Sequence, residues 1–157
     1  MRVVHVRADV EDAYLTDDVV EALAKLYKLR RYWVVRHVLI DSLECDALIY
    51  GVMDKAFRTV GVELKRSDLA KLVAQAIKRR HLFHYMYMFI GMYSTDNTIR
   101  TLYRYGCLDQ VLGEGIGIIV FEEGKPFIAV KSMFNPYPKY RPPRPLNEYV
   151  KGVSSSE

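Results

Sequence analysis

The stretch HLFHYMYMFIGMYSTDNTIRTLYRYG, residues 81–106, decides how this chain is read. It carries Met86, Met88 and Met92, half of the six methionines, with Phe83, Tyr85, Tyr87, Phe89, Tyr93, Tyr103 and Tyr105. Residues 82–93 are apolar nearly all round and show no period that separates helix from strand. Length and methionine content predict a central buried helix there. Ser94 or Thr95 then caps a second, amphipathic helix with Arg100 and Arg104 on one side, closed by Gly106. A basic run, Lys78, Arg79 and Arg80, leads into the stretch.

Toward the N-terminus, residues 2–8 (RVVHVRA) alternate with period two and predict a half-buried strand. An acidic loop follows. Thr16 or Asp17 caps a helix with Val19, Val20, Leu23, Leu26 and Tyr27 on one face. Residues 32–40 (YWVVRHVLI) are β-branched and aromatic, a second strand. Asp41 with Glu44 makes a capping-box-like start. Behind it, Cys45, Leu48, Ile49, Val52, Met53, Ala56, Phe57 and Val60 recur as one face of an amphipathic helix that Gly61 ends. Residues 62–66 connect to a helix capped by Ser67, with Leu69, Leu72, Val73, Ala76 and Ile77 inward.

Toward the C-terminus, residues 116–122 and 127–133 read as strands joined by a hairpin turn over Glu123, Gly124, Lys125 and Pro126. The tail holds five of the six prolines. It is expected to be extended through residue 145, with a short helix at 146–151. The expected architecture is one α/β domain over residues 1–135 with a proline-rich tail over 136–157. A small mixed sheet of about four strands packs with four or five helices, in the order β-α-β-α-α-α-α-β-β.

The chain has 157 residues, half of them apolar, which suits one globular core. Cys45 and Cys107 are expected to be reduced thiols. No signal peptide is evident, and the apolar run 85–93 is far short of the roughly 20 residues a membrane span needs. A soluble, cytoplasmic protein is expected. The net charge of +4 is uneven: residues 9–21 are acidic, while basic residues gather at 25–36, 65–80 and 139–151. That asymmetry points to an anionic partner for one face.

No catalytic or metal motif stands out. His81 and His84 would share a helix face, but no set of ligands at zinc spacing accompanies them. The acidic run reads as a solvated loop. Gly113, Gly115 and Gly117 precede a strand, the wrong context for a dinucleotide cradle, so no cofactor is expected. What remains is basic residues beside aromatics: Lys78, Arg79, Arg80, Arg100 and Arg104 are the candidate nucleic-acid-binding residues. Two other readings stand beside this one. One is a protein–protein interaction domain with an apolar patch around Tyr85, Met88 and Met92. The other is a small enzyme with a site near Asp41, drawing on Asp9 or His37 at strand ends.

Two segments, VVRHVLIDSLECDALIYGVMDKAFR at 34–58 and LFHYMYMFIGMYSTDNTIRTLYRYGCL at 82–108, resemble the kinase-binding subunit family of the KEOPS complex. That complex makes threonylcarbamoyladenosine in tRNA. Gly91, Ile99 and Gly106 fall on the family's small residue, isoleucine and helix-ending glycine. Between Ser94 and Ile99 the family's arginine and glutamine are absent. The resemblance implies a non-catalytic subunit that binds the complex's small atypical protein kinase and the 3′ end of tRNA.

Overall fold

Asp41 and Ser42 both take positive φ, 47° and 66°, and close a two-residue hairpin. In the computed structural model, which describes residues 3–4 and 10–142, this turn joins β2 (Arg31–Ile40) to β3 (Leu43–Met53). A second tight turn, with Asp54 at φ 55°, joins β3 to β4 (Ala56–Lys65). The helix expected from Cys45 to Val60 is therefore an antiparallel hairpin. The apolar residues that recur at helical spacing divide between two sheet faces. Leu48 and Tyr50 point to one core, Ala47, Ile49, Val60 and Val62 to the other. Asp41 and Glu44 are turn and strand residues, not a capping box.

The remaining elements are β1 (Val3–Val4), a 3₁₀ turn (Val10–Tyr14), α1 (Asp17–Leu26), α2 (Leu69–Arg79), a second 3₁₀ turn (Arg80–Leu82), β5 (Tyr85–Ile90), α3 (Thr95–Arg104), α4 (Leu108–Gly113), β6 (Gly117–Glu122) and β7 (Lys125–Val130). One seven-stranded sheet runs in sequence order from β1 to β7. The α/β class is as expected, but the sheet has seven strands rather than four, six of them six residues or longer. The order of elements differs accordingly. β4, β5 and β6 are parallel, linked by α2 and then by α3 with α4. β6 and β7 form the expected hairpin, with Glu123 and Gly124 at positive φ.

The expected helix at 82–93 is the central strand β5. Tyr87 and Phe89 face the core under α1, with Leu15, Val20 and Leu23. Met86, Met88 and Ile90 face the core under α2, α3 and α4, with Leu72, Leu102 and Val111. A strand buried on both faces loses its alternation and reads as a continuous apolar run, which periodicity cannot tell from a buried helix. α1, α2 and α3 match the expected helices. Ser94 accepts from the Asn97 amide as the α3 N-cap, while Asp68, rather than Ser67, caps α2 through the Lys71 amide.

After β7 the chain folds back. The Asn135 amide donates to the His84 carbonyl, and the Lys139 and Tyr140 amides to His81 and Leu82. The helix expected at 146–151 and most of the strand expected at 2–8 lie outside the described residues. Cys45 and Cys107 are both free thiols.

Close packing of β4 against β5 depends on Gly61. A Cβ there would overlap the buried Phe83 ring and sit 3.0 Å from the Met86 sulfur. Gly61→Ala is expected to cost about 1–3 kcal/mol by overpacking. Gly113→Ala, with open space around it, should be neutral or slightly stabilising. Paired thermal melts check both.

Candidate active site

The register of β2, β3 and β4 sets three polar residues in a row. The pairs Arg36 with Ala47 and Val38 with Cys45 place His37 opposite Asp46. The pair Ala47 with Val62 places Asp46 beside Glu63. All three lie toward the C-terminal ends of β2 and β4, where the parallel strand β5 also ends. That is the end of an α/β sheet at which ligands bind.

Asp46 and Glu63 are locked to each other's backbone. The Asp46 amide donates to Glu63 Oε2 at 2.9 Å, and the Leu64 amide donates to Asp46 Oδ2 at 2.8 Å. Two carboxylates thus meet where a ladder would place apolar side chains. Glu63 is buried, and its burial beside Asp46 pushes its pKa up to about 9, against the opposing pull of Arg79. Arg79 Nε lies 2.8 Å from Glu63 Oε1 and donates to the Glu44 carbonyl, while its Nη1 donates to the Gln75 carbonyl.

His37 extends the cluster. Its φ is 54°, an uncommon conformation for a side-chain-bearing strand residue. Nε2 lies 2.9 Å from Asp12 Oδ2 and Nδ1 lies 3.3 Å from Glu44 Oε2. Asp12 comes from the first 3₁₀ turn and also faces Arg36 at 3.7 Å. The ligand atoms of His37, Glu44 and Asp46 lie within 4.8 Å of one another. A cavity of about 40 Å³ opens here, lined by Glu11, Asp12, His37, Asp46, Leu64 and Lys65. It has room for a single ion or water. Carboxylate oxygens with one imidazole suit a hard divalent cation such as Mg²⁺ or Mn²⁺ rather than a thiolate-seeking metal. The donors of His37, Glu44 and Asp46 therefore fit a divalent cation, with Glu63 behind Asp46.

The expected nucleic-acid-binding residues are dispersed. Lys78 is exposed at the end of α2. Arg79 belongs to the carboxylate cluster. Arg80 is buried, and its three nitrogens donate to the carbonyls of Glu114, Phe83, His84 and Met133, so it ties the chain ends of the sheet together. Arg100 pairs with Asp96 on the exposed surface of α3, and Arg104 is exposed beside Tyr103 and Tyr105. Of the alternative site near Asp41, His37 lies in the cluster, Asp41 is an exposed turn residue and Asp9 lies outside the described residues. Of the apolar patch expected around Tyr85, Met88 and Met92, Met88 is core and Met92 is exposed.

Sequence reasoning missed Asp46, Glu63 and Lys65. The signal was there in Val60, Val62 and Leu64 alternating with Gly61, Glu63 and Lys65. Reading residues 62–66 as a connector hid it. No protein-family model, curated protein or solved structure matches the chain. Among the described residues no helix is long and apolar enough to cross a membrane.

Because its folded pKa lies above the unfolded value, Glu63 favours folding while protonated, and stability falls as pH rises from about 4.5 toward 9. Glu63→Gln removes that penalty. Without divalent cations the variant should melt higher than the wild type at pH 8, and the gap should close near pH 4.5. A pH series of thermal melts reads this directly.

Proposed function

We propose that the chain is a divalent-cation-dependent phosphodiester hydrolase acting on nucleic acid. One observation carries the reading: at the C-terminal end of the sheet His37, Glu44 and Asp46 bring ligand atoms within 4.8 Å of one another, Asp46 is locked to Glu63 through the backbone, and Lys65 lines the same cavity as His37 and Asp46. Two such carboxylates held together by the backbone are costly unless a cation joins them. Mg²⁺ is bound by few protein carboxylates and completes its shell with water and substrate phosphate. The cation would be held by His37, Glu44 and Asp46, and would polarise the phosphate and activate water.

The protein's own groups do the rest. Water would attack phosphorus in line and give up a proton to solvent as the bond from phosphorus to the leaving sugar oxygen breaks, and that oxygen would take a proton from solvent. Lys65 lines the cavity, and its ammonium would offset charge building on the phosphoryl oxygens. Asp12 and Glu44 fix the His37 ring through both nitrogens, so it can hand a proton along without turning. Arg79 orients Glu63 from behind. The net charge of +4 and the exposed Arg66 beside Lys65 favour a polyanionic substrate.

This reading replaces the non-catalytic role that the KEOPS resemblance implies. Its two quoted segments were read as helices over 44–60 and 82–93, and both regions are strands.

The test uses the full chain with labelled single-stranded DNA, double-stranded DNA and RNA. Cleavage should require Mg²⁺ or Mn²⁺ and fall about 100-fold or more in Asp46→Ala, Glu63→Gln and Lys65→Ala, while Arg100→Ala stays active. Mg²⁺ should also raise the melting temperature of the wild type at pH 8, but not that of Asp46→Ala. Cleavage that persists in Asp46→Ala, or the lack of both cleavage and cation-dependent melting, sinks the proposal. Binding of tRNA without cleavage, with a small kinase co-purifying, would favour the kinase-binding role instead.

A further inference from the structure

A second cleft, of about 300 Å³, opens at the other end of β4. Thr59 in this cleft and Glu63 in the carboxylate cluster are four residues apart, about 13 Å along an extended strand. The returning tail forms one wall, with Pro138 and Tyr140, and the β3–β4 hairpin forms the other, with Phe57. Arg58 and Arg141 also line it, and no carboxylate does.

Four features describe what it can hold. Phe57 is 48% exposed and stacks on Tyr50 at 5.1 Å and 17°, so one face of its ring is braced by the core. The Arg58 guanidinium lies 4.9 Å from the Phe134 ring, and its buried Nε has no hydrogen-bond partner among the described residues. Phe134 also stacks on His84. His84 Nδ1 accepts from the Thr59 amide, which leaves Nε2 to carry the ring proton as a donor. Burial, with Arg58 and Arg141 nearby, holds the His84 pKa down to about 4, so the ring is neutral near pH 7.

We propose that this cleft binds a nucleotide, its phosphate held by Arg58 and Arg141 and its base against Phe57 and the tail prolines. Guanidinium geometry matches phosphate; Arg58 already donates through Nη1 to the Phe57 carbonyl and bonds Tyr85, so the exposed Arg141 is the principal phosphate partner. A braced, half-exposed ring beside prolines offers a planar stacking surface. The volume is at the lower end for small-molecule sites and suits one nucleotide unit. That unit is either a free nucleotide or the end of a strand. The inference goes beyond the hydrolase reading and does not depend on it.

Isothermal titration of the full chain in EDTA tests it, with AMP, adenosine, inorganic phosphate and a 5′-phosphorylated single-stranded oligonucleotide as probes. AMP should bind at least about tenfold more tightly than adenosine or phosphate, since both halves are recognised. Phe57→Ala and Arg141→Gln should each weaken AMP about tenfold or more. Arg141 is exposed, so its variant tests the contact without disturbing the core. Asp46→Ala should leave AMP binding unchanged, which separates this cleft from the carboxylate cluster. An oligonucleotide that binds and displaces AMP supports the cleft with a strand end as source. Binding of AMP alone supports it with a free nucleotide as source. Unchanged affinity in both Phe57→Ala and Arg141→Gln, or no binding by AMP or the oligonucleotide, overturns the proposal.

Discussion

Burial of β5 on both faces is the constraint on which the rest of the molecule depends. Met86, Tyr87, Met88, Phe89 and Ile90 are all fully buried. At about 2 kcal/mol per large apolar side chain, this one strand supplies a large share of the hydrophobic driving force. A strand so placed needs a partner on each edge and a layer on each face. β4 and β6 pair with it in parallel, and parallel pairing requires the long crossovers that α2, α3 and α4 provide. Polar groups are admitted only where they close on one another. The Tyr27 and Tyr87 hydroxyls bond to each other, the Ser132 amide donates to Tyr87, and the Ser132 hydroxyl accepts from the Met86 amide. Gly117 lacks a Cβ because the Tyr87 ring and the Ser132 amide occupy that space.

That same burial explains which elements were legible in the sequence. α1, α2 and α3 each present one buried and one wet face, so their 3.6 period survives in the sequence. β2 and the β6–β7 hairpin were readable from β-branched content and from the Glu123 and Gly124 turn. β3 and β4 were not. Their apolar residues serve two cores at once, and over Cys45, Leu48, Ile49 and Val52 the sum imitates a helical stripe. The decisive cue was local: Asp41 and Ser42 can both enter left-handed conformations and so make a two-residue turn. Reading Asp41 as a helix cap converted a hairpin into a helix and moved Asp46 and Glu63 away from each other.

The site was hidden for the same reason. Asp46 and Glu63 are far apart in sequence, and no spacing rule joins them. Only the antiparallel register of β3 and β4 does. His37 was noticed as a strand-end residue, but its partners Asp12 and Glu44 come from a 3₁₀ turn and a neighbouring strand. The arginines that composition offered to an anionic partner are partly committed inside the fold. Arg80 is spent on backbone carbonyls that the sheet leaves unpaired, and Arg79 on a buried carboxylate.

Arg79 also limits what the carboxylate cluster can be for. A buried acid with an arginine at 2.8 Å is usually a structural ion pair, and such a pair should hold the acid well below its ordinary pKa. Glu63 instead sits far above it, because the Asp46 carboxylate and the loss of water outweigh the single guanidinium. A fold selected for stability alone would place apolar side chains at two adjacent in-register positions of this sheet, since well-packed apolar residues match or exceed a buried ionic group. Two carboxylates, a lysine and a histidine in left-handed conformation therefore sit at one sheet end at a cost in stability that packing alone does not explain.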